Sequence, residues 1–137
     1  MPRKPLIRSN CNPYHVTCRV NNRESFHCGE SVAWKIFSQK LKKLIEAYEV
    51  KVHAFVVMPN HFHLLITAPK EDLGVAMQMF LRSVTKTMNF VNGRTGRVFG
   101  SKYHWSMILT ENHYDNVIKY IYRNPVKAKM VLNVEEY

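Results

Sequence analysis

The stretch Phe55–Thr67, FVVMPNHFHLLIT, decides how this chain is read. It is dense in branched and aromatic residues, as strands are. Met58-Pro59-Asn60 interrupts the run where a tight turn would join two antiparallel strands. Side chains alternate between faces along a strand, so His61 and His63 point one way while Phe62 and Leu64 point into the opposite layer. Two imidazoles side by side on one strand face form either a partly buried polar patch or a pair of ligands for one metal ion.

Working outward, Tyr14–Val20 reads as a first strand, with Val16, Cys18 and Val20 on one face and His15, Thr17 and Arg19 on the other. Asn21-Asn22-Arg23 is a turn. From Ser31 to Tyr48 the apolar residues recur at helical intervals, and Ser31 or the Gly29-Glu30 pair would cap the start. Val50–Met58 and His61–Thr67 are the second and third strands. A second helix is expected from Asp72 to about Asn92, its methionines serving as core filler. A basic, glycine-punctuated loop (Gly93 to Gly100) then leads to a fourth strand over Trp105–Thr110. This order, β-α-β-β-α-β, predicts an α+β fold: a ferredoxin-like split antiparallel sheet with helices on one face and the histidines on the open one. Several functions share that order, so architecture alone does not choose among them.

The chain of 137 residues fits one domain, with residues 1–12 an extended basic arm. No apolar run approaches the ~20 residues a membrane span needs, and the start lacks the apolar core of a signal peptide. Cys11, Cys18 and Cys28 are an odd set without metal-binding spacing, which predicts reduced thiols in a cytoplasmic protein. Lys and Arg number 20 against 10 acidic residues, a formal net charge of +10. A small domain so charged favours a polyanion, and without a basic amphipathic helix bearing an apolar counter-face, nucleic acid is favoured over membrane.

The tail, TENHYDNVIKYIYRNPVKAKMV, reads as a final helix capped by Thr110 or Asn112, anchored by Tyr114, Val117, Ile118, Ile121 and Tyr122, and stopped near Asn124 by Pro125. A short continuation over 126–130 is expected, and Lys127 would extend the face if it resumes in register. Tyr120 and Asn124, four apart, share one helical face. Tyr120 is either a packing residue at a helix edge or a nucleophile. Asn124 is either a cap for the turn at Pro125 or a metal ligand. A phenol with a pKa near 10 attacks only when its phenoxide is stabilised. A divalent ion on His61 and His63 would draw charge from a phosphodiester, letting Tyr120 form a phosphotyrosine link that conserves the bond for rejoining.

FVVMPNHFHLLI, followed about 55 residues later by YIYRNPVKAKMV, resembles the Y1 single-strand DNA transposases, the IS200/IS605-like group of HUH enzymes. It looks closest to their REP-associated tyrosine transposase branch, with its PNHxHLL and YIxxNPVxA boxes. YHVTCRVNNRESF resembles the first strand and turn of that branch, although Val20 stands where a glycine is frequent, and many members continue further at the C-terminus. The resemblance spans about Tyr14 to Val131. It implies that His61 and His63 bind the metal with Asn124 as third ligand, that Tyr120 is the nucleophile, and that the ion is Mg²⁺ or Mn²⁺. The implied partner is single-stranded DNA with a hairpin, as in REP-like or insertion-sequence ends, cleaved to a 5′-phosphotyrosine and a free 3′-hydroxyl. Both a homodimer with the tyrosine helix supplied in trans and a monomer are compatible with it.

Tyr122 is the second candidate nucleophile, expected to face the core, and His53, His104 and His113 are further residues able to approach the site. Arg3, Lys4, Arg8, Arg19, Arg23, Arg82, Lys86, Arg94, Arg97 and Lys102 are candidate phosphate contacts, and Tyr103 and Trp105 candidate stacking platforms. Two rival functions remain: a non-catalytic, domesticated nucleic-acid-binding regulator on the same fold, and a phosphoesterase using water in place of tyrosine.

Overall fold

A computed structural model describes residues 5–70, 72–123 and 131–133. The elements run β1 (Tyr14–Arg19), α1 (Gly29–Tyr48), β2 (Lys51–Val57), β3 (His61–Thr67), α2 (Leu73–Asn92), β4 (His104–Met107), α3 (Glu111–Arg123) and β5 (Val131–Asn133), with a 3-10 turn at Asn21–Arg23. The sheet order is β4-β1-β3-β2-β5 and all pairs are antiparallel. The first four strands form the split sheet that the element order implies. β5, not anticipated from sequence, adds a short strand along the outer edge of β2. No helix among the described residues is long and apolar enough to cross a membrane.

One layer of the core lies between the sheet and the pair α1/α2. Phe37 stands at its centre, its ring against Phe26, Phe55, Phe62, Phe80 and Phe99 at centroid distances of 5.2–6.4 Å. Phe62 and Leu64 point into this layer, which sends His61 and His63 to the other face. That face is not open. Val117 and Ile121 of α3, with Tyr114 and Ile118 partly buried beside them, cover Ala54, Val56, Met58 and Leu65. Burial of each aliphatic side chain is worth about 1.5–3 kcal/mol, and this fixes α3 across the sheet.

Several boundaries differ from expectation. α1 begins at Gly29 with Cys28 at the cap position and no side-chain cap, so Ser31 lies inside the helix. β2 is one residue shorter at each end than Val50–Met58. β4 ends at Met107 because Ile108 N–H donates to Pro13 O (2.8 Å) and Thr110 turns to cap α3, its Oγ1 accepting from His113 N–H at 3.0 Å. Asn112 is in the first turn, not the cap. Tyr122 is 41% exposed rather than in the core. The continuation expected over 126–130, with Lys127, lies outside the described residues.

Candidate active site

The turn before β3 is held from both sides. Met58 N–H donates to His61 O at 2.8 Å, closing a two-residue loop over Pro59-Asn60. Phe26 N–H donates to Pro59 O and Val20 N–H to Asn60 O, each at 2.8 Å. Asn60 Oδ1 accepts from His61 Nδ1 at 2.8 Å, which puts the proton of His61 on Nδ1 and leaves Nε2 as a lone-pair donor. The His61 and His63 ring centroids are 5.0 Å apart and nearly perpendicular.

His63 has a partner that the sequence did not single out. His15 Nε2 lies 2.9 Å from His63 Nδ1, with the rings stacked at 5.2 Å. In the antiparallel register Thr17 is opposite His63 and Arg19 opposite His61, so His15 sits two residues along on the same face. The alternation of β1 already put His15 on that face, but only the register shows that it reaches His63. The contact forms with either ring donating; in the tautomer where His15 accepts, the proton of His63 is on Nδ1 and its Nε2 carries the lone pair. That Nε2 is buried and has no hydrogen-bond partner among the described residues. Burial, then the charges His15, His61 and Arg19 would bring, lowers the His63 pKa to about 3. His61 is lowered by burial and Arg19, and His15 by burial and His113. All three are therefore neutral at physiological pH, as metal ligation requires.

Two Nε2 lone pairs on one face, one of them orphaned, fit a divalent ion held weakly by imidazole. Among the described residues no three His, Cys, Asp or Glu side chains form a metal cluster. Asn124, expected as third ligand, lies outside the described residues, as do Arg3 and Lys4.

α3 brings Tyr120 to this pair. Its ring is 5.2 Å from that of His63, edge on at 84°, and 6.5 Å from that of His15. The residue is 49% exposed. Tyr120 and the histidines thus meet within one chain. Asn116, Lys119 and Arg123 surround Tyr120 in a cavity of about 320 Å³. Asn116 and Arg123, four before and three after the tyrosine in a helix, share its face, which was the available signal for them; Lys119 carries no such signal.

The other histidines have different places. His53, at the irregularity between Val52 and Ala54 in β2, bonds Thr67 Oγ1 through Nε2 (2.7 Å) and Tyr114 Oη through Nδ1 (3.2 Å). It pins α3 to the sheet. His104 is exposed on β4 opposite Thr17, and His113 is half-buried near His15. Of the candidate phosphate contacts, Arg19 lies beside His61, and Arg94 and Arg97 line a second cavity with Asn21 and Asn22. Arg8, Arg23 and Lys102 are exposed elsewhere. Arg82 and Lys86 are exposed on α2, across the sheet from the imidazoles. Tyr103 and Trp105 pack against the α1/α2 side of the core and do not flank the histidines.

A Haemophilus influenzae protein assigned as a REP-associated tyrosine transposase is 26% identical over 112 residues, covering 74% of this chain. This chain spans 64% of that relative's length. The solved structure of a REP-associated tyrosine transposase bound to a REP hairpin matches with a TM-score of 0.75 at 21% identity, covering 93% of this chain and 74% of that one. A Deinococcus radiodurans protein assigned as a transposase matches with a TM-score of 0.59 at 17% identity, covering 90% of this chain and 95% of that one. Both structural likenesses are likenesses of fold. The family described as Transposase IS200 like matches residues 8–124, and the chain belongs to it.

Proposed function

We propose that this member of the IS200-like transposase family cleaves and rejoins single-stranded DNA beside a hairpin, using Tyr120 as nucleophile in a metal-dependent reaction. The observation that carries the reading is the half-exposed Tyr120 ring set edge on against His63 of its own chain. His61 and His63, with Asn124, would hold Mg²⁺ or Mn²⁺, which when bound supplies charge neutralisation at the scissile phosphate.

The chain's own residues supply the rest. Asn60 holds His61 through Nδ1 and His15 holds His63 through Nδ1, which leaves the Nε2 atom of each ring for the ion. Val117 and Ile121 seat α3 on the sheet, with the Tyr120 ring against that of His63. Lys119 and Arg123 flank it with positive charge suited to the DNA backbone. In the reaction the Tyr120 Oη–P bond forms as the P–O3′ bond breaks. The leaving strand ends in a 3′-hydroxyl, whose proton balances the one lost by the phenol. The reverse attack by a 3′-hydroxyl rejoins the strand without an external energy source. The contact of Tyr120 with His63 of its own chain supports action by a single chain, on which a His63→Ala chain mixed with a Tyr120→Phe chain should not regain activity.

The test is incubation with Mn²⁺ and labelled hairpin DNA, followed by denaturing gels. An SDS-resistant adduct should form, vanish in Tyr120→Phe with DNA binding retained, and persist in Tyr122→Phe. An adduct unchanged in Tyr120→Phe would sink the assignment. DNA binding without any adduct would leave the regulator reading in its place.

A further inference from the structure

β2 carries one residue more than its pairing with β3 needs. Between Val52 and Ala54 it advances two residues while β3 advances one, from Ile66 to Leu65, so His53 is the extra residue of a bulge. Strict alternation would put Val52 and Ala54 on one face; instead Val52 belongs to the α1/α2 layer and Ala54 to the layer beneath α3. His53 is thereby wedged between two hydroxyls. Its Nε2 lies 2.7 Å from Thr67 Oγ1, on the β3 face that also carries His61 and His63, and its Nδ1 lies 3.2 Å from Tyr114 Oη of α3. The Tyr114 ring stands edge on to the imidazole, with centroids 5.5 Å apart at 87°. Burial, then the charge of Lys51, lowers the His53 pKa, so the ring is neutral at physiological pH. One hydroxyl therefore donates to it while the other accepts.

We propose that His53 and Tyr114 are positioning residues that set where Tyr120 stands along the sheet; the inference rests on the reading of Tyr120 as nucleophile above. Val117 and Ile121 hold α3 by apolar contact, which has no direction and tolerates a slip. A slip of one residue moves a helix about 1.5 Å along its axis and turns it about 100°. The bond from Tyr114 to His53 opposes that slip, and among the described residues no other α3 side chain hydrogen-bonds to a strand. Tyr114 precedes Tyr120 by six residues, about 9 Å of helix. Holding the first at the Thr67 end of β3 therefore holds the second over His63. Attack on phosphorus needs the phenol about 3–3.5 Å away and in line, and a displacement near 1 Å costs on the order of a hundredfold in rate. The bulge in β2 is thus the device that aims the nucleophile.

The test is the single-turnover rate of covalent adduct formation with saturating Mn²⁺ and labelled hairpin DNA, measured beside DNA affinity and thermal unfolding. The variants are Tyr114→Phe, His53→Ala and the two combined. Tyr114→Phe removes one hydroxyl and keeps the ring, so it carries the test if His53→Ala fails to fold. Val84→Ala, in the α1/α2 layer, supplies a loss of stability remote from α3. Each single variant should slow adduct formation about tenfold or more with DNA affinity unchanged. The double variant should be no slower than the slower single, because both remove one bond. His53→Gln, which offers an amide to the same hydroxyls, should recover part of the rate, and Val84→Ala should keep the parent rate over its folded fraction. A slowing equalled by Val84→Ala, a slowing that follows lost DNA affinity, or effects that add in the double variant would each overturn the proposal. An adduct that forms as fast in Tyr114→Phe as in the parent protein would sink this inference alone, whereas no adduct in the parent protein would sink the nucleophile reading with it.

Discussion

Replacing His15 tests how the imidazole pair is organised. His63 is only 7% exposed, and its Nδ1 is satisfied by His15 Nε2 at 2.9 Å. His15→Leu keeps the bulk and removes the partner, which is the acceptor in the tautomer that leaves His63 Nε2 free for an ion. The orphaned N–H, buried beside the sheet, costs about 1–3 kcal/mol of stability. More diagnostic is the second consequence. Without His15 the His63 ring has no group holding its proton on Nδ1, so it loses both tautomer and orientation. Removal of a hydrogen-bond partner behind a metal-bound histidine generally costs 10–100-fold in metal affinity, or about 1.4–2.7 kcal/mol.

The assay is Mn²⁺ titration of the protein followed by electron paramagnetic resonance, with no DNA present. His15→Leu should weaken binding within that range, and His15→Gln, which offers an amide oxygen to the same N–H, should recover much of it. Thermal unfolding separates this effect from loss of fold. Unchanged Mn²⁺ affinity in His15→Leu, alongside its loss in His63→Ala, would refute the positioning argument.

Ile121→Ala should lower stability by about 2–5 kcal/mol and reduce adduct formation further than the unfolded fraction accounts for, since Ile121 seats the helix that carries Tyr120. Phe37→Ala, at the centre of the other core layer, should cost about 3–5 kcal/mol in denaturant unfolding. The His63 pKa is near 3 in the folded protein against about 6.5 unfolded, so the unfolded chain binds the extra proton. Stability should be full above about pH 6.5 and decline as pH falls towards 3, and His63→Gln should flatten that decline in thermal melts. If roughly five cations meet phosphates, log affinity for single-stranded DNA should fall with log salt at a slope of about −3.5, and a flat response would exclude a phosphate-dominated interface.

Much of the fold was legible because its periods are clean. The switch from two-residue alternation in Tyr14–Val20 to helical spacing in α1 fixes the first crossover, and the Pro59-Asn60 turn fixes the hairpin. The order of the elements then implies the β4-β1-β3-β2 arrangement. Register was not legible: no local feature of YHVTCR states that Thr17 faces His63, and so His15 went unselected. The start of α1 was misplaced because no side chain caps it, leaving no cap signal to read. Tyr122 was misjudged from its bulk, though the apolar stripe Tyr114, Val117, Ile118, Ile121 is complete without it.

The expectation of an open sheet face failed for a reason visible in the opening stretch. A strand with one solvated face alternates, whereas Phe55–Met58 and Phe62–Thr67 are buried at every position. Ala54, Val56 and Leu65 share a face with His63, and they need an apolar cover that neither α1 nor α2 can give from the other side. Only α3 remains in the described chain to provide it. Its stripe ends at Ile121, and the residue before Ile121 is Tyr120. The hydrophobic demand of the two central strands therefore delivers the phenol to the imidazoles. Covering the sheet and assembling the candidate site are one packing event, which is why the two sequence boxes stand so far apart in the chain and still meet.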